Sequence, residues 1–325
     1  MSNETGQFSA GAGSAGGWER SMLEKLAFES VQEQRRARRW GIFFKSLTFL
    51  FLFGLLLVVL GLMIGKEPVT ADRHTALVEL RGVIDAEGTA SADKMISGLQ
   101  AAFKDAKTQG VILRINSPGG SPVQAGYIND EIHRLRKLYP SIPVYAVVED
   151  ICASGGYYAA VAADKIFVDK ASLIGSVGVL MDGFGFTGAM EKLGVERRLL
   201  SAGENKGFLD PFSPLSESQR SYAQKMLAEI HQQFIKVVRE GRGKRLKETP
   251  EMFSGLVWTG EKSLELGLAD GLGSLQYVAR EVVKAEDIVD FTPEDNLAEK
   301  FARQLGASGG KAMARALFGA EGSLR

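Results

Sequence analysis

The sequence predicts an α/β fold with parallel strands, carried behind a single membrane-spanning helix. Three observations predict it. From about Ala76 onward, short β-rich runs alternate with helical stretches, the pattern of parallel strands joined by right-handed crossovers. The segment Ser46 to Ile64 carries no formal charge, and as a helix it rises about 28 Å, close to the ~30 Å hydrocarbon core of a bilayer. Two glycine-rich turns, 116–121 and 153–158, each fall between a strand and a helix.

In chain order, residues 1–20 are rich in Gly, Ser and Ala and read as a disordered tail. Leu23, Leu26, Ala27 and Val31 stand at helical spacing and lead into Arg35, Arg36, Arg38 and Arg39, so 21–40 reads as a juxtamembrane helix. With Lys45, that cluster outweighs Lys66 and Arg73, which sit beside Glu67 and Asp72 after the apolar run. The bias puts the N-terminus (1–45) in the cytoplasm and the rest outside it. A cleaved signal peptide is the rival; the apolar run is longer than the ~7–15 residues of a signal h-region. A linker, 65–75, then leads to the main domain at 76–290. Strands are expected at 76–84, 110–117, 143–150, 165–169 and 196–203. Helices are expected at 91–107, 122–138, 156–163 and 186–193. Ser216 and Gln219 form a possible capping box opening a long helix to about Lys247. The tail 291–325 is weakly patterned, with a flexible stretch at 306–310.

Composition removes several function classes. Lys+Arg and Asp+Glu balance at 39 each, so no global charge favours nucleic acid. Cys152 is the one cysteine and excludes an intrachain disulfide. Nothing calls for a cofactor or a metal.

The two turns carry the chemistry. A small residue on a sharp strand-to-helix turn exposes its side chain, and the following N–H groups point out at the positive end of the helix. Such groups can hold the oxyanion of a tetrahedral intermediate. Each turn alone fits plain tight packing, and neither matches the phosphate-binding loop patterns. A nucleophile at Ser154 needs a base. Of the three histidines, His74 abuts the linker, while His133 and His231 fall on helices among charged and polar neighbours and read as solvated surface. A lysine is the alternative. Lys206 lies in a polar, glycine-flanked loop; Lys165 and Lys170 flank a short strand, and composition does not choose among them. Cys152 reads as a small buried residue before the turn, and Tyr157 and Tyr158 as cleft or core.

The motifs Asn116-Ser117-Pro118-Gly119-Gly120, Ala153-Ser154-Gly155-Gly156-Tyr157-Tyr158, Ile174-Gly175-Ser176-Val177-Gly178-Val179, Lys206 followed by Asp210-Pro211-Phe212, and Thr259-Gly260 through Gly267-Leu268-Ala269-Asp270 occur in that order. Together they resemble the short, single-catalytic-domain bacterial form of the signal peptide peptidase A family, within the Clp protease/crotonase superfamily. The resemblance runs from about Ala76 to Val283. It implies a repeated ββα spiral and a serine endopeptidase with Ser154 as nucleophile and Lys206 as general base. It also implies Ser176 as the residue orienting the lysine, and Gly155 with Gly119 or Gly120 as oxyanion donors. The partners it implies are remnant signal peptides and other extended peptides, an inner membrane spanned once, and further copies of the chain in a ring whose protomers can share the dyad. The chain departs from the pattern at Gly207-Phe208, after the lysine, and at Ser263. Two readings compete with a peptidase on the same fold: a catalytically silent membrane scaffold and a crotonase-type acyl-CoA enzyme.

Overall fold

The computed structural model describes residues 15–64 and 72–293. The chain divides into two units, one ending at Val69 and one beginning at Thr70. Helix α1 (Ala15–Ile64) makes up the described part of the first. The juxtamembrane helix and the apolar run are thus one helix, which also includes 15–20, expected as part of the disordered tail. The stretch long and apolar enough to cross a membrane is Gln32–Leu57, so it begins before Ser46: no breaker stops the helix on the basic side. Apolar side chains such as Phe49, Leu50 and Phe51 stand exposed on it. The expected flexible stretch at 306–310 lies outside the described residues.

The second unit is built on an eight-stranded sheet. Its first strands are β1 (His74–Arg81), β2 (Thr108–Ser117) and β3 (Val144–Ala153). Helices α2 (Ala92–Lys104) and α3 (Pro122–Leu138) cross between them. The two β–β pairings are parallel. Beyond β3 come α4 (Gly155–Ala160), β4 (Lys165–Val168), β5 (Leu173–Gly175) and the short α5 (Thr187–Lys192). The long α6 (Glu217–Arg242), β6 (Val257–Thr259), α7 (Gly260–Glu265), β7 (Gly271–Leu272), α8 (Leu275–Tyr277) and β8 (Ile288–Asp290) complete the order. The sheet runs β6-β5-β3-β2-β1-β8, with β4 on β3 and β7 on β4. Only β5–β6 is antiparallel.

Period-two alternation sorts the strand residues between two cores. Ala76, Val78 and Leu80 of β1, with Val111, Leu113 and Ile115 of β2, face the main core, where α2, α3, α4 and α6 pack. Leu77, Ile112 and Val147 face a smaller one with Leu275, Val278 and Ala279. α2 buries Met95, Leu99, Ala102 and Phe103, the spacing of one helical face. α3 opens on Pro122 with Ser121 accepting the Gln124 N–H. The predicted Ser216 cap of α6 accepts the Gln219 N–H at 3.2 Å. That helix stops at Arg242 rather than Lys247, because Gly243 takes a positive φ of 52°.

One expected strand is absent: 195–201 has no regular structure. Its residues find no partner strand among the described residues, and Leu200 is 95% exposed. Strands β5, β6, β7 and β8 were not expected; at two or three residues they are too short to carry a readable alternation.

Candidate active site

Ser154 sits where β3 turns into α4, with φ 50° and ψ −123°. A residue with a Cβ pays of order 1–3 kcal/mol for such a backbone, so its surroundings must hold it there. The Ser154 N–H donates to the Gly175 carbonyl at 2.8 Å, and the Ser154 carbonyl accepts from the Tyr158 N–H at 2.9 Å. Gly119, at φ +99°, closes the other side: a Cβ there would lie 2.7 Å from Ser154 Cβ and 2.7 Å from the Gly155 nitrogen. The Asn-Ser-Pro-Gly-Gly turn is therefore glycine-rich because a second backbone passes directly over the serine.

The three glycines differ in what their N–H groups do. Gly119 N–H is already bonded to Ser117 Oγ at 3.1 Å. Gly155 is the first residue of α4, so its N–H has no partner within the helix. Gly120 bridges Ile84, whose N–H goes to Gly119 O and whose carbonyl accepts from Ser121; this leaves the Gly120 N–H without an acceptor among the described residues. Gly120 nitrogen lies 3.3 Å from where a Gly155 Cβ would stand. The free pair at the serine is thus Gly120 and Gly155.

Ser154, Gly120, Gly155 and Ser176 line one cleft of about 560 Å³. Ser176 follows β5 and is left-handed too, at φ 52°, with its N–H on Leu256 O at 2.7 Å. Only four non-glycine residues among those described have positive φ, and two of them are these serines. Tyr158, Ile230 and Phe234 supply apolar wall, and the Tyr158 and Phe234 rings sit 5.1 Å apart. Burial raises the Tyr158 hydroxyl above its ordinary range. The α6 wall was missed from sequence, although that helix's apolar spacing was available as a signal.

Lys206 is not among the residues lining this cleft. It is exposed in a turn after Gly203. Asp210, four residues on, organises that loop by accepting from Ser213 Oγ at 2.6 Å and from the Phe212 N–H at 3.4 Å. The Ser213 bond, opposed by partial burial and aided by Arg197, holds the Asp210 carboxyl below its ordinary range. Lys165 and Lys170 are exposed as well. His133 and His231 differ from their expected solvated state, and His74 is not at the surface either. His74 is buried, with Nε2 3.2 Å from Thr108 Oγ1. His133 is half-buried, which lowers its pKa. His231 is half-buried against Val177 O. None lines the serine cleft. Cys152 is fully buried, and burial pushes its thiol up, away from thiolate chemistry. Tyr157 is core, its hydroxyl donating to Leu268 O at 2.8 Å. No group of three or more His, Cys, Asp or Glu suited to a metal occurs among the described residues.

Fold and turn together define an α/β domain whose serine, presented at a strand-to-helix junction, faces a cleft beside two free N–H groups. A sequence profile described as Peptidase family S49 matches residues 136–289. An Enterococcus faecium protein named "Putative signal peptide peptidase SppA" is 30% identical over 234 residues, covering 70% of this chain and 67% of that protein. A "Putative protease" of Methanocaldococcus jannaschii is 32% identical over 224 residues, 67% of this chain and 71% of its own length. The chain belongs to peptidase family S49. A Brucella abortus protein named Na(+)/H(+) antiporter NhaA is 41% identical over 223 residues, 67% of this chain, but the chain spans only 30% of that relative's length.

Proposed function

We propose that this chain is a membrane-anchored serine endopeptidase in which Ser154 is the nucleophile, Lys206 the general base and Ser176 the residue that orients the base. The carrying observation is the Ser154 turn: a strained, Cβ-bearing residue held beside two unoccupied N–H groups in a cleft. Ser154 Oγ attacks the scissile carbonyl carbon while its proton passes to the neutral Lys206 amine. The oxyanion accepts hydrogen bonds from Gly120 and Gly155. Collapse expels the amine, which takes the proton from Lys206. Water, deprotonated by the same lysine, attacks the acyl carbon, and the second collapse expels Ser154 Oγ, which takes that proton back from Lys206 as the carboxylic acid product leaves. Gly119 serves sterically, not as a donor.

A lysine base must shed its proton, which removal from water favours; Lys206 is exposed in the single chain. We infer that a second copy supplies the cover and that the dyad is shared between protomers of a closed ring. The segment 180–215 supports this reading, since Leu180 and Phe184 are each 80% exposed and patches of that kind mark interaction sites. Head-to-tail cyclic contacts would pair each serine with the next protomer's lysine. Mixing Ser154→Ala with Lys206→Ala protein tests it. Recovered peptidase activity after subunit exchange is expected, and exchange without recovery rejects the shared dyad.

The substrates proposed are remnant signal peptides and other extended apolar peptides, which the apolar cleft wall suits. The basic cluster before the span favours an N-terminus in the cytoplasm and a catalytic unit outside it, on the bacterial inner membrane. Protease accessibility in spheroplasts tests that orientation, and full protection of the catalytic unit rejects it. The antiporter name of the Brucella relative is not carried over, because the chain spans only 30% of that relative's length. An intact Ser154 turn with its free N–H pair also disfavours a silent scaffold.

A further inference from the structure

We propose that His231 is a positioning residue for this site, fixing the backbone that leaves Ser176. The inference rests on the serine-peptidase reading above. The path out of β5 is pinned in three places. Gly175 O accepts from Ser154 N–H at 2.8 Å, Ser176 N–H donates to Leu256 O at 2.7 Å, and Val177 O lies 3.1 Å from His231 Nε2 across 54 sequence positions. A carbonyl only accepts, so Nε2 carries the hydrogen. His231 is the one side chain among the three anchors. Among the described residues no other hydrogen bond holds the backbone from Val177 until the Phe186 N–H reaches Pro211 O at 2.7 Å.

That placement matters because Ser176 is left-handed, and a strained residue persists only when both sides are held. Upstream, β5 holds it. Downstream, the next residues, Gly178, Val179 and Leu180, have no regular structure and line the cleft. His231 ties this stretch to α6, whose Phe234, Ile235 and Val238 are buried in the core. Ile230 and Phe234 of the same helix form cleft wall, so one imidazole sets the serine pair in register with the wall opposite.

The test uses the full chain in detergent micelles, with three measurements on His231→Leu and His231→Gln: kcat and KM on a fluorogenic apolar peptide, amide exchange across 177–182, and the thermal midpoint. Leucine removes the donor; glutamine returns an N–H at similar reach. Losing one well-placed hydrogen bond lowers kcat about tenfold. The leucine variant is expected to show that loss with KM within about twofold, and faster exchange in 177–182. Glutamine is expected to recover both, with the two midpoints alike. Wild-type kcat and exchange in the leucine variant overturn the proposal, as does a glutamine variant impaired as much as leucine. If Ser154→Ala keeps full activity, the peptidase reading falls, and the exchange data alone still decide whether His231 holds the segment.

Discussion

The two regions that carry the proposed chemistry are built in opposite ways. The Ser154 turn rises from the C-terminal end of a central parallel strand, and Ala153, Gly155 and Tyr157 around it are buried. Its backbone is over-determined: β5 holds its nitrogen, Gly119 closes over its Cβ, and Tyr157 three residues later is tied to Leu268. The segment from Leu180 to Leu215 has one short helix, α5, with no buried residue. It is knit by a few contacts of its own, chiefly Asp210 with Ser213 and Arg197, and the Phe186–Phe212 stack at 5.4 Å. The strained backbone of the proposed nucleophile persists because the core holds it on both sides. A base on an uncovered loop can be completed only by something that covers it, which is where a second protomer enters the proposal.

The first way to break the comparison is to crowd the rigid region. Gly119→Ala places a Cβ against Ser154 Cβ and the Gly155 nitrogen, at a φ that side chains rarely adopt. Displacing one oxyanion donor costs about 10²–10³ in kcat, and a loss of that size is expected in peptidase assays. Near-normal turnover would show that the turn tolerates movement.

Next is the ion pair beneath the same region. Arg242 is 1% exposed and meets both Asp270 oxygens at 2.8 and 2.9 Å. Burial alone would raise the Asp270 carboxyl, but the Arg242 bonds and charge, the Ile166 N–H and Arg245 bring it below its ordinary range. A depressed carboxyl contributes stability above its unfolded pKa of ~3.9 and loses it as pH falls through the lower folded value. Arg242→Met leaves that carboxylate only the Ile166 N–H at 2.7 Å and Arg245 at 3.2 Å, and is expected to cost about 3 kcal/mol in denaturant unfolding at pH 7. Acidification below about pH 4 should narrow the gap from wild type.

A smaller effect is expected from Leu200→Asp in the uncovered segment. Unfolding free energy should stay within about 0.5 kcal/mol of wild type, as for surface changes generally. Assembly, read by analytical ultracentrifugation at fixed detergent, should weaken at least about tenfold if that surface meets another copy. Smallest is Arg197→Met. Its pair with Asp210 is 3.4 Å long and the arginine is 43% exposed, so the cost should be under about 1 kcal/mol. If it rivals Arg242→Met, the two regions are not the opposites described.

Much of this was legible in the sequence. Alternation and glycine punctuation gave β1 to β4 and α2, α3 and α4 within a few residues, since each buries enough apolar surface to leave a period. The Ser154 turn was legible because a Cβ at Gly119 would collide with Ser154 and the Gly155 nitrogen, and that close approach demands glycine. The expected strand at 196–203 failed because alternation reports which face of a residue is apolar, not whether a neighbouring strand exists to pair with it.

By itself, then, the sequence determined the apolar helix, the α/β order and the identity of the two glycine turns, all of which depend on local chemistry and period. Tertiary structure decided what depends on which atoms meet across the fold. It engaged Gly119's N–H with Ser117 while leaving those of Gly120 and Gly155 free, and it brought Ser176 into the serine's cleft from a separate strand. It also set His231 on Val177 across 54 positions and left Lys206 exposed and outside that cleft. Apart from the Ser117–Gly119 contact, made between residues two positions apart, these are not encoded at short range, because residues distant in sequence meet only once the sheet and α6 have packed.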